Sequence, residues 1–312
     1  MGARIKIMNN CLFTNDVETT SIWLNTLRDK TGEKVLYDGM PILLEIYRKY
    51  DVKSTFYFTG YIASKYPDIV RMILADGHEV ASHGKSHIKE NGFDIMPYDK
   101  QVRHLEYTKK LLEDISGQEV ISFRAPALRV SNNTAGALIE TGYRIDSSVA
   151  SQRFDFFMSF GGIKKLKWLF APRLPYRTSY DSIFRKGNSP LIEVPLSALF
   201  FPYVGTTMRI FPLITSIQRY GINLESKLNN KPVVFDIHPN EFIDESDEIR
   251  VVSKRSKNPI NYLLKDWLRS HLKVKNLGPA AIPLYKKEIQ FYKDRGYIFT
   301  TVKQYCIDNQ LI

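Results

Sequence analysis

The stretch of sequence that decides the fold is His78-Glu79-Val80-Ala81-Ser82-His83-Gly84-Lys85-Ser86-His87. It reads as a short strand followed by two histidines that are four residues apart. Neutral imidazole is a common protein ligand for zinc, and a spacing of four predicts both rings on one face of a helical turn. Two histidines on a solvated loop would show the same spacing, so a metal site needs support from elsewhere in the chain.

Acidic residues that could complete such a site follow a strand-like run near the N-terminus. Residues 5–14 read as a strand, which enters the turn Asn15-Asp16-Val17-Glu18. On an extended backbone, side chains two residues apart share a face, so Asp16 and Glu18 should point the same way. These two carboxylates are therefore the candidates for the third metal ligand.

Strand-like and helix-like segments alternate along most of the chain. The predicted strands are 53–58, 79–81, 120–123, 143–146 and 231–237, and the predicted helices are 40–49 (with Asp38 as its N-cap), 68–75, 99–114 and 132–140. This alternation predicts parallel βαβ units in an α/β barrel or a doubly wound sheet. In either architecture, functional side chains gather at the C-terminal ends of the strands. The candidates at those ends are Asp16, Glu18, His83, His87, Arg124, Asp146 and His238.

Residues 150–221 interrupt the alternation with a segment rich in aromatic and basic residues. No run in it reaches the roughly 18 apolar residues of a membrane-spanning helix. It predicts an insertion that packs on the barrel, or alternatively a wall over the site or a membrane-surface patch. After it, 261–272 and 281–295 read as helices and 297–300 as a last strand. We expect one catalytic domain, 1–312, with a core of 5–150 and 231–307, an insertion of about 151–230 and a helical C-terminal segment.

Composition narrows the partners and the compartment. The net charge of +11 among 312 residues favours anionic partners such as polysaccharide, lipid headgroups or nucleic acid. Cys11 and Cys306 form no CxxC pair, which argues against a thiolate zinc site and a disulfide framework and predicts buried free thiols. The first residues run directly into strand-like sequence without the pattern of a signal peptide, so we expect a cytoplasmic protein.

Five motifs in order resemble those of the polysaccharide deacetylases of the NodB-homology group, carbohydrate esterase family 4. The motifs are Thr14-Asn15-Asp16-Val17-Glu18, Ser82-His83-Gly84-Lys85-Ser86-His87, Phe123-Arg124-Ala125-Pro126, Asp146-Ser147-Ser148 and Ile237-His238. The resemblance spans 5–150 and about 231–305. It implies an α/β fold, a distorted (β/α)7 barrel, that removes N- or O-acetyl groups from sugars with one divalent metal, zinc.

The resemblance also implies roles for the first and second motifs. The common first motif has two adjacent aspartates, whereas here Val17 and then Glu18 follow Asp16. Its alignment makes Asp16 the general base and Glu18 the metal ligand beside His83 and His87. The opposite assignment is chemically workable, because either carboxylate binds metal or accepts a proton. In the implied reaction, metal-activated water attacks the carbonyl of an acetyl amide.

The later motifs supply the remaining implied roles. Arg124 pairs with the catalytic carboxylate, and His238 protonates the leaving amine. Ala127 stands where the family usually has tyrosine after Pro126, which puts substrate contacts in doubt, although a backbone N–H there still serves an oxyanion. Asp146 is placed on the substrate side, where it orients His238 or caps the next turn.

Substrate and partners follow from the same resemblance together with the charge and the N-terminus. We expect an N-acetylated sugar, lipid- or nucleotide-linked, handled at the inner face of a membrane by a peripherally associated protein. One alternative is a relative that hydrolyses a cyclic amide instead of a sugar acetamide. Another is a non-catalytic protein that binds glycan or lipid. Nucleic acid is not expected, since no reading motif accompanies the basic charge.

Overall fold

The computed structural model describes residues 9–151, 168–250 and 267–312. Its strands are β1 (Asn10–Val17), β2 (Thr20–Ser21), β3 (Thr26–Leu27), β4 (Thr55–Phe58), β5 (Glu79–Ser82), β6 (Ser122–Phe123), β7 (Ile145–Asp146), β8 (Tyr176–Ser179), β9 (Ser182–Lys186), β10 (Ile192–Glu193), β11 (Ala198–Leu199), β12 (Phe201–Pro202), β13 (Val233–Ile237) and β14 (Ile298–Phe299).

The helices follow most of the strands of the main sheet. They are α1 (Asp29–Lys34), α2 (Met40–Tyr50), α3 (Gly60–Lys65), α4 (Pro67–Ala75), α5 (Tyr98–Ser116), α6 (Asn133–Glu140), α7 (Gly205–Ile210), α8 (Pro212–Asn229), α9 (Arg269–Lys273), α10 (Ala281–Lys293) and α11 (Val302–Asp308). Within the three described ranges, no helix combines the length and the apolar character needed to cross a bilayer.

Seven parallel strands of the described residues form a curled sheet in the order β13-β1-β4-β5-β6-β7-β10. The antiparallel strands β8 and β9 extend it beyond β10, and β14 pairs with β1. Two hydrogen bonds join the two edges of the parallel sheet, from the segment that follows β10 to strand β13. The Ser197 N–H donates to the carbonyl of Val234 at 3.0 Å, and the Val234 N–H donates to Ser197 Oγ at 3.0 Å. The predicted distorted barrel of seven strands is confirmed.

The core lies between this sheet and the surrounding helices. β1 and β4 are buried along almost their whole length, because helices cover the outside of the barrel and side chains fill its inside. Phe13 packs on Phe235 and Phe299 with ring centroids 5.1 and 5.0 Å apart. Burying an aromatic side chain of this size stabilises the fold by about 2 kcal/mol. Cys11 and Cys306 are buried free thiols, as predicted.

Two local predictions near the N-terminus are wrong. β1 continues through Val17, so Asp16 lies within the strand instead of in a turn; of the predicted strand 5–14, residues 5–8 lie outside the described residues. Asp38 does not cap α2, since α1 runs through one wide helical turn, Val35–Gly39, directly into Met40. The unbroken run of helical backbone leaves no free N-terminus for Asp38 to cap.

The predicted insertion of 151–230 also needs correction. β10 pairs in parallel with β7 and is a core strand of the barrel, and α8 is the helix that returns the chain to β13. This βα unit was not predicted from the sequence, because β10 has only two residues and so shows no alternation of apolar and polar residues. Of the predicted helix 261–272, residues 261–266 lie outside the described residues, as do 152–167 and the basic stretch 251–257.

Candidate metal and active site

The carboxylates of the first motif stand at the C-terminal end of β1, at the centre of the parallel sheet. Asp16 is the second-last residue of β1 and pairs in register with Tyr57 of β4, and Glu18 follows the strand. Both side chains are buried, with 5% and 6% of their residues' surface exposed. Burial of two carboxylates is costly unless cations, polar hydrogens or a metal face them.

The two histidines of the second motif are brought together by a loop and not by a helical turn, which corrects the sequence prediction. His83 follows β5, where its N–H donates to the carbonyl of Phe58 at 2.8 Å, and the ring centroids of His83 and His87 are 5.7 Å apart. Gly84 adopts a φ of +67° between them. A Cβ at Gly84 would lie 3.1 Å from the ring of Phe93, so glycine allows this tight loop.

Glu18, His83 and His87 form a set of three ligands suited to a divalent metal. Their ligand atoms all lie within 4.8 Å of one another, and His87 Nε2 is 3.1 Å from Glu18 Oε2. His83 Nδ1 is 2.8 Å from the carbonyl of Arg124, which makes it the protonated nitrogen and leaves Nε2 with its lone pair. His83 Nε2 and Glu18 Oε2 are buried without a hydrogen-bond partner.

These orphaned atoms are the test of whether a metal fits here. A buried carboxylate oxygen and a buried imidazole lone pair are costly to leave unpaired, and both would be satisfied by one cation. Burial lowers the pKa of both His83 and His87 to about 4, so both rings are neutral at pH 7, the state in which imidazole binds metal. The residues present therefore fit the zinc-type ion that the resemblance implies.

Arg124 is the charged hub beside this set. The fully buried guanidinium donates through Nη1 to Asp16 Oδ1 at 3.0 Å and to Asp236 Oδ1 at 2.7 Å. Its Nε donates to the carbonyl of Ser147 at 2.9 Å, and its plane lies 4.3 Å from the ring centre of Tyr57. A single buried cation thus donates hydrogen bonds to both strand-end carboxyl groups.

The carboxylates around Arg124 titrate differently. Burial alone would raise the pKa of Asp16, but His83 and Arg124 outweigh it and lower the pKa below the ordinary range. Burial and the charge of Asp16 raise the pKa of Asp236 to about 8. Burial also raises the pKa of Glu18. Among these three carboxylates, Asp16 is the one whose pKa the neighbouring cations lower.

His238 faces the same space from the end of β13. Its Nε2 lies 4.0 Å from Glu18 Oε1, and its Nδ1 lies 3.2 Å from Glu241 Oε1. Burial would lower the pKa of His238, but the hydrogen bond with Glu241 and the charges of Asp236 and Asp16 raise it to about 10. At pH 7 this ring is an imidazolium, in contrast to the two neutral rings of the metal-ligand set.

Glu241 is itself held by Arg209. The Glu241 carboxylate caps the short turn after His238, accepting from the backbone N–H of His238 at 3.3 Å. Arg209 of α7 donates to its other oxygen, and both side chains are completely buried. The Nη1 of Arg209 also donates to the carbonyls of Lys273 and Lys275 at 2.9 Å each. Segments far apart in the chain thereby fix the orientation of the His238 ring.

The residues expected on the substrate side belong to the third and fourth motifs. Asp146 is fully buried, accepts from Ser148 Oγ at 2.6 Å and pairs in register with Glu193, and the Ser148 contact fits the turn-capping alternative. Pro126 is buried beneath Gly84. Ala127 is half-buried with φ at +52°, an unusual backbone for alanine at the mouth of the site.

Three residues of the site were missed from the sequence: Asp236, Glu241 and Arg209. Asp236 had a signal, since it stands two residues before His238 on a strand and shares its face. Glu241 had a weaker one, the proline and glutamate of a helix-start pattern directly after His238. Arg209 had none, because its contact with Glu241 exists only in the folded chain.

Comparisons with known proteins show which family part of the chain is similar to. Residues 33–145 match the family model described as polysaccharide deacetylase. This range contains His83, His87 and Arg124, whereas Asp16, Glu18 and His238 lie outside it. A peptidoglycan deacetylase from Helicobacter pylori is 30% identical over 116 residues, which are 37% of this chain and 39% of that protein. The chain spans between 33% and 49% of the length of the curated relatives it matches.

Solved structures extend the likeness to the whole fold. A structure from Mycobacterium smegmatis assigned to the polysaccharide deacetylases superposes with a TM-score of 0.63 at 16% identity, covering 98% of this chain and 92% of that one. An allantoinase superposes with a TM-score of 0.59 at 15% identity, covering 95% and 88%. The resemblance predicted from the motifs is confirmed for residues 33–145, which are similar in sequence to polysaccharide deacetylases, and the chain shares its distorted barrel with the solved structure from Mycobacterium smegmatis. Its sequence relatives of that name are hydrolases of carbon–nitrogen bonds other than peptide bonds.

Proposed function

We propose that this protein hydrolyses the acetyl amide of an N-acetylated amino sugar. The proposal rests on one observation: a set of metal ligands and a pair of groups that can accept and donate protons surround the same space. Glu18, His83 and His87 form a ligand set with orphaned buried atoms, and ionised Asp16 and protonated His238 flank it. Amide hydrolysis needs both a base for water and an acid for the leaving amine.

Glu18, His83 and His87 would hold the metal, and Asp16 would act as the base. Bound there, a divalent metal would supply Lewis acidity toward the acetyl carbonyl and lower the pKa of water. Two contacts favour this division of roles over the opposite one. The ligand atoms of Glu18 and both histidines lie within 4.8 Å of one another, whereas Asp16, whose Oδ2 is 3.5 Å from His83 Nε2, already accepts a hydrogen bond from Arg124 at Oδ1. That contact fixes the direction in which the Asp16 carboxylate receives a proton from water.

His238 would donate the proton that the leaving amine needs. The positive charge on its ring is stabilised by Glu241 at Nδ1, so Nε2 carries the proton that faces the site. The amine nitrogen of an amide is too poor a leaving group to depart without a proton. With His238 within 4.8 Å of Asp16, one group takes a proton from water and the other gives a proton to the leaving nitrogen in the same space.

The substrate class is supported by the relatives. The family model and the Helicobacter pylori relative are both described as deacetylases, the latter of peptidoglycan. We extend the proposal to sugars carried on a lipid or a nucleotide.

The test is acetate release from N-acetylglucosamine oligosaccharides by the purified full chain. The expected result is release that stops after chelation and returns with zinc, and that is absent in His83→Ala. His271→Ala, an exposed histidine on α9, is the matched control and should behave as the wild type. Protein that holds one metal per chain and releases no acetate from any N-acetylated amino sugar would refute the deacetylase proposal.

A further inference from the structure

Helix α8, Pro212–Asn229, has its polar and apolar faces reversed relative to an ordinary surface helix. The residues that it buries are Thr215, Gln218, Ile222 and Ser226, three of which are polar. Its exposed face carries an apolar row, here called the outer stripe: Leu213, Ile217, Tyr220, Leu224 and Leu228, with Ile214 beside it. The intervals of four, three, four and four residues keep the row on one side of the helix.

The side chains of the outer stripe are mostly exposed to solvent. Leu213 and Leu228, at its two ends, expose 74% and 77% of their surface, and Ile217 exposes 66%. Single exposed apolar residues are common, but a contiguous patch of six along about four turns of helix marks an interaction surface. Burying an apolar side chain lowers the free energy, so covering the stripe with an apolar environment would be favourable.

The helix cannot bury the stripe by rolling about its axis, because the polar residues beneath are committed. Gln218 Nε2 donates to the carbonyl of Phe201 at 2.7 Å, and Ser226 Oγ donates to the carbonyl of Lys231 at 2.7 Å. A rotation would break both bonds and leave those groups buried and unpaired, which is costly. The outward direction of the stripe is therefore fixed by the fold.

Cations border the stripe, and we call them the cationic rim: Arg219, Lys227, Lys287 and Arg295. The guanidinium carbons of Arg219 and Arg295 lie 5.8 and 5.7 Å from the ring centre of Tyr220. Lys227 is exposed on α8, and Lys287 is exposed on α10 next to Arg219.

The nearby acidic groups of α8 and α10 do not cancel this rim. Glu225 pairs with Arg173 and Lys231. Glu288 pairs with Arg219, whose side chain is only 12% exposed, so Lys227, Lys287 and Arg295 carry the exposed charge of the rim. Exposed Asp294, at the end of α10, faces the amide of Gln290. The surface around the outer stripe therefore carries a net positive charge.

We propose that the outer stripe and its cationic rim dock this protein onto an anionic lipid surface. An apolar helical face bordered by arginine and lysine matches the layered chemistry of such a surface, with acyl chains below and phosphate above. A second copy of this chain fits less well, since an isologous contact through the stripe would bring two cationic rims together. The helix lies in the plane of the interface. The inference is independent of the proposed hydrolysis.

Vesicle sedimentation with the full chain tests this proposal. Vesicles of phosphatidylcholine with phosphatidylglycerol should carry down the wild type, whereas vesicles of phosphatidylcholine alone should carry down much less. Ile217→Asp/Leu224→Asp should weaken binding by about tenfold or more, as should Lys227→Glu/Lys287→Glu. Tyr37→Asp/Ile307→Asp, which places the same charges on other exposed apolar positions, is the matched control and should bind as the wild type.

Three results would overturn the proposal. One is wild-type protein that stays in solution with anionic vesicles. Another is a stripe variant that still sediments as well as the wild type, while its melting temperature shows that it is folded. The third is light scattering that shows a wild-type dimer which the stripe variant converts to a monomer without any vesicle binding, since a second copy then covers the stripe.

Discussion

At the residue scale, the site depends on how a few buried charges are shared. Arg124 donates to two carboxyl groups through one nitrogen, and it also donates hydrogen bonds to the Ser147 carbonyl, the Ser147 hydroxyl and Thr14 Oγ1. Removing one member of such a buried set leaves an unpaired charge that costs about 3–5 kcal/mol. Neighbours, more than residue types, therefore decide which histidine is neutral and which is charged.

Replacing Glu241 by glutamine tests the role of Glu241 as the residue that positions His238. Glu241→Gln keeps the shape but removes the charge that raises the pKa of His238, so kcat should fall by about 10–100-fold. The alkaline limb of the pH–rate profile should move to lower pH, because the acid then loses its proton earlier. Acetate release measured against pH gives both quantities.

The control for that variant is Glu288→Gln, another buried glutamate paired with an arginine. Glu288→Gln also removes a buried negative charge from beside an arginine, so its loss of stability should be similar, but Glu288 does not contact His238. An alkaline limb that moves equally in both variants, or in neither, would show that Glu241 does not act on His238.

His78 should make the stability of the fold depend on pH. Burial lowers its pKa to about 4, whereas an unfolded histidine titrates near 6.5, so the unfolded chain binds more protons between these values. The free energy of unfolding should therefore fall as pH falls below 6.5, and His78 should account for about 2 kcal/mol of the loss by pH 5.

Urea unfolding at pH 7 and pH 5 measures this contribution. His78→Asn retains an acceptor for the Ser54 N–H and cannot be protonated, so its loss between the two pH values should be smaller than that of the wild type. The exposed His271→Asn should follow the wild type. Identical pH dependence in His78→Asn and the wild type would contradict the assignment.

At the element scale, the loop after β5 carries the metal ligands and needs glycine at one point. Gly84→Ala should destabilise the fold by about 2 kcal/mol, through its φ of +67° and the contact of the new Cβ with Phe93. The same strain should move His83 relative to His87 and weaken zinc binding. Urea unfolding and zinc titration measure the two effects.

Gly117→Ala separates the two causes. Gly117 has the same φ of +67° at the end of α5, but nothing lies within 4 Å of an added Cβ. This variant should lose about 1 kcal/mol and bind zinc as tightly as the wild type. Equal zinc affinity in both glycine variants would mean that the loop geometry does not govern the metal site.

At the scale of the whole molecule, Ser197 makes two hydrogen bonds to Val234 that join the segment after β10 to β13 and so close the barrel. Ser197→Ala should leave the Val234 N–H buried and unpaired, at a cost of about 1–3 kcal/mol. Amide hydrogen exchange should accelerate at Val234 and its neighbours on β13. Ser189→Ala, which removes a buried acceptor from Leu191, should accelerate exchange at Leu191 instead. Unchanged exchange along β13 in Ser197→Ala would contradict closure at this seam.

The sequence was sufficient for those parts of the molecule that depend on local pattern. Alternating strands and helices predicted the parallel sheet, and the ends of the strands predicted that Asp16, His83, Arg124 and His238 would meet. Strand β10, with two residues, gave no periodicity to detect. The Arg209–Glu241 pair is formed by α7 and the turn after β13, so only tertiary structure brings it together.

The division of roles between the two carboxylates of β1 is the central claim, and metal content tests it most directly. Asp16→Asn and Glu18→Gln would be purified, loaded with zinc, and compared with the wild type for metal per chain and for acetate release. Asp16→Asn should keep its metal and lose activity, whereas Glu18→Gln should lose both. Loss of metal from Asp16→Asn together with full metal in Glu18→Gln would contradict the account and exchange the two roles.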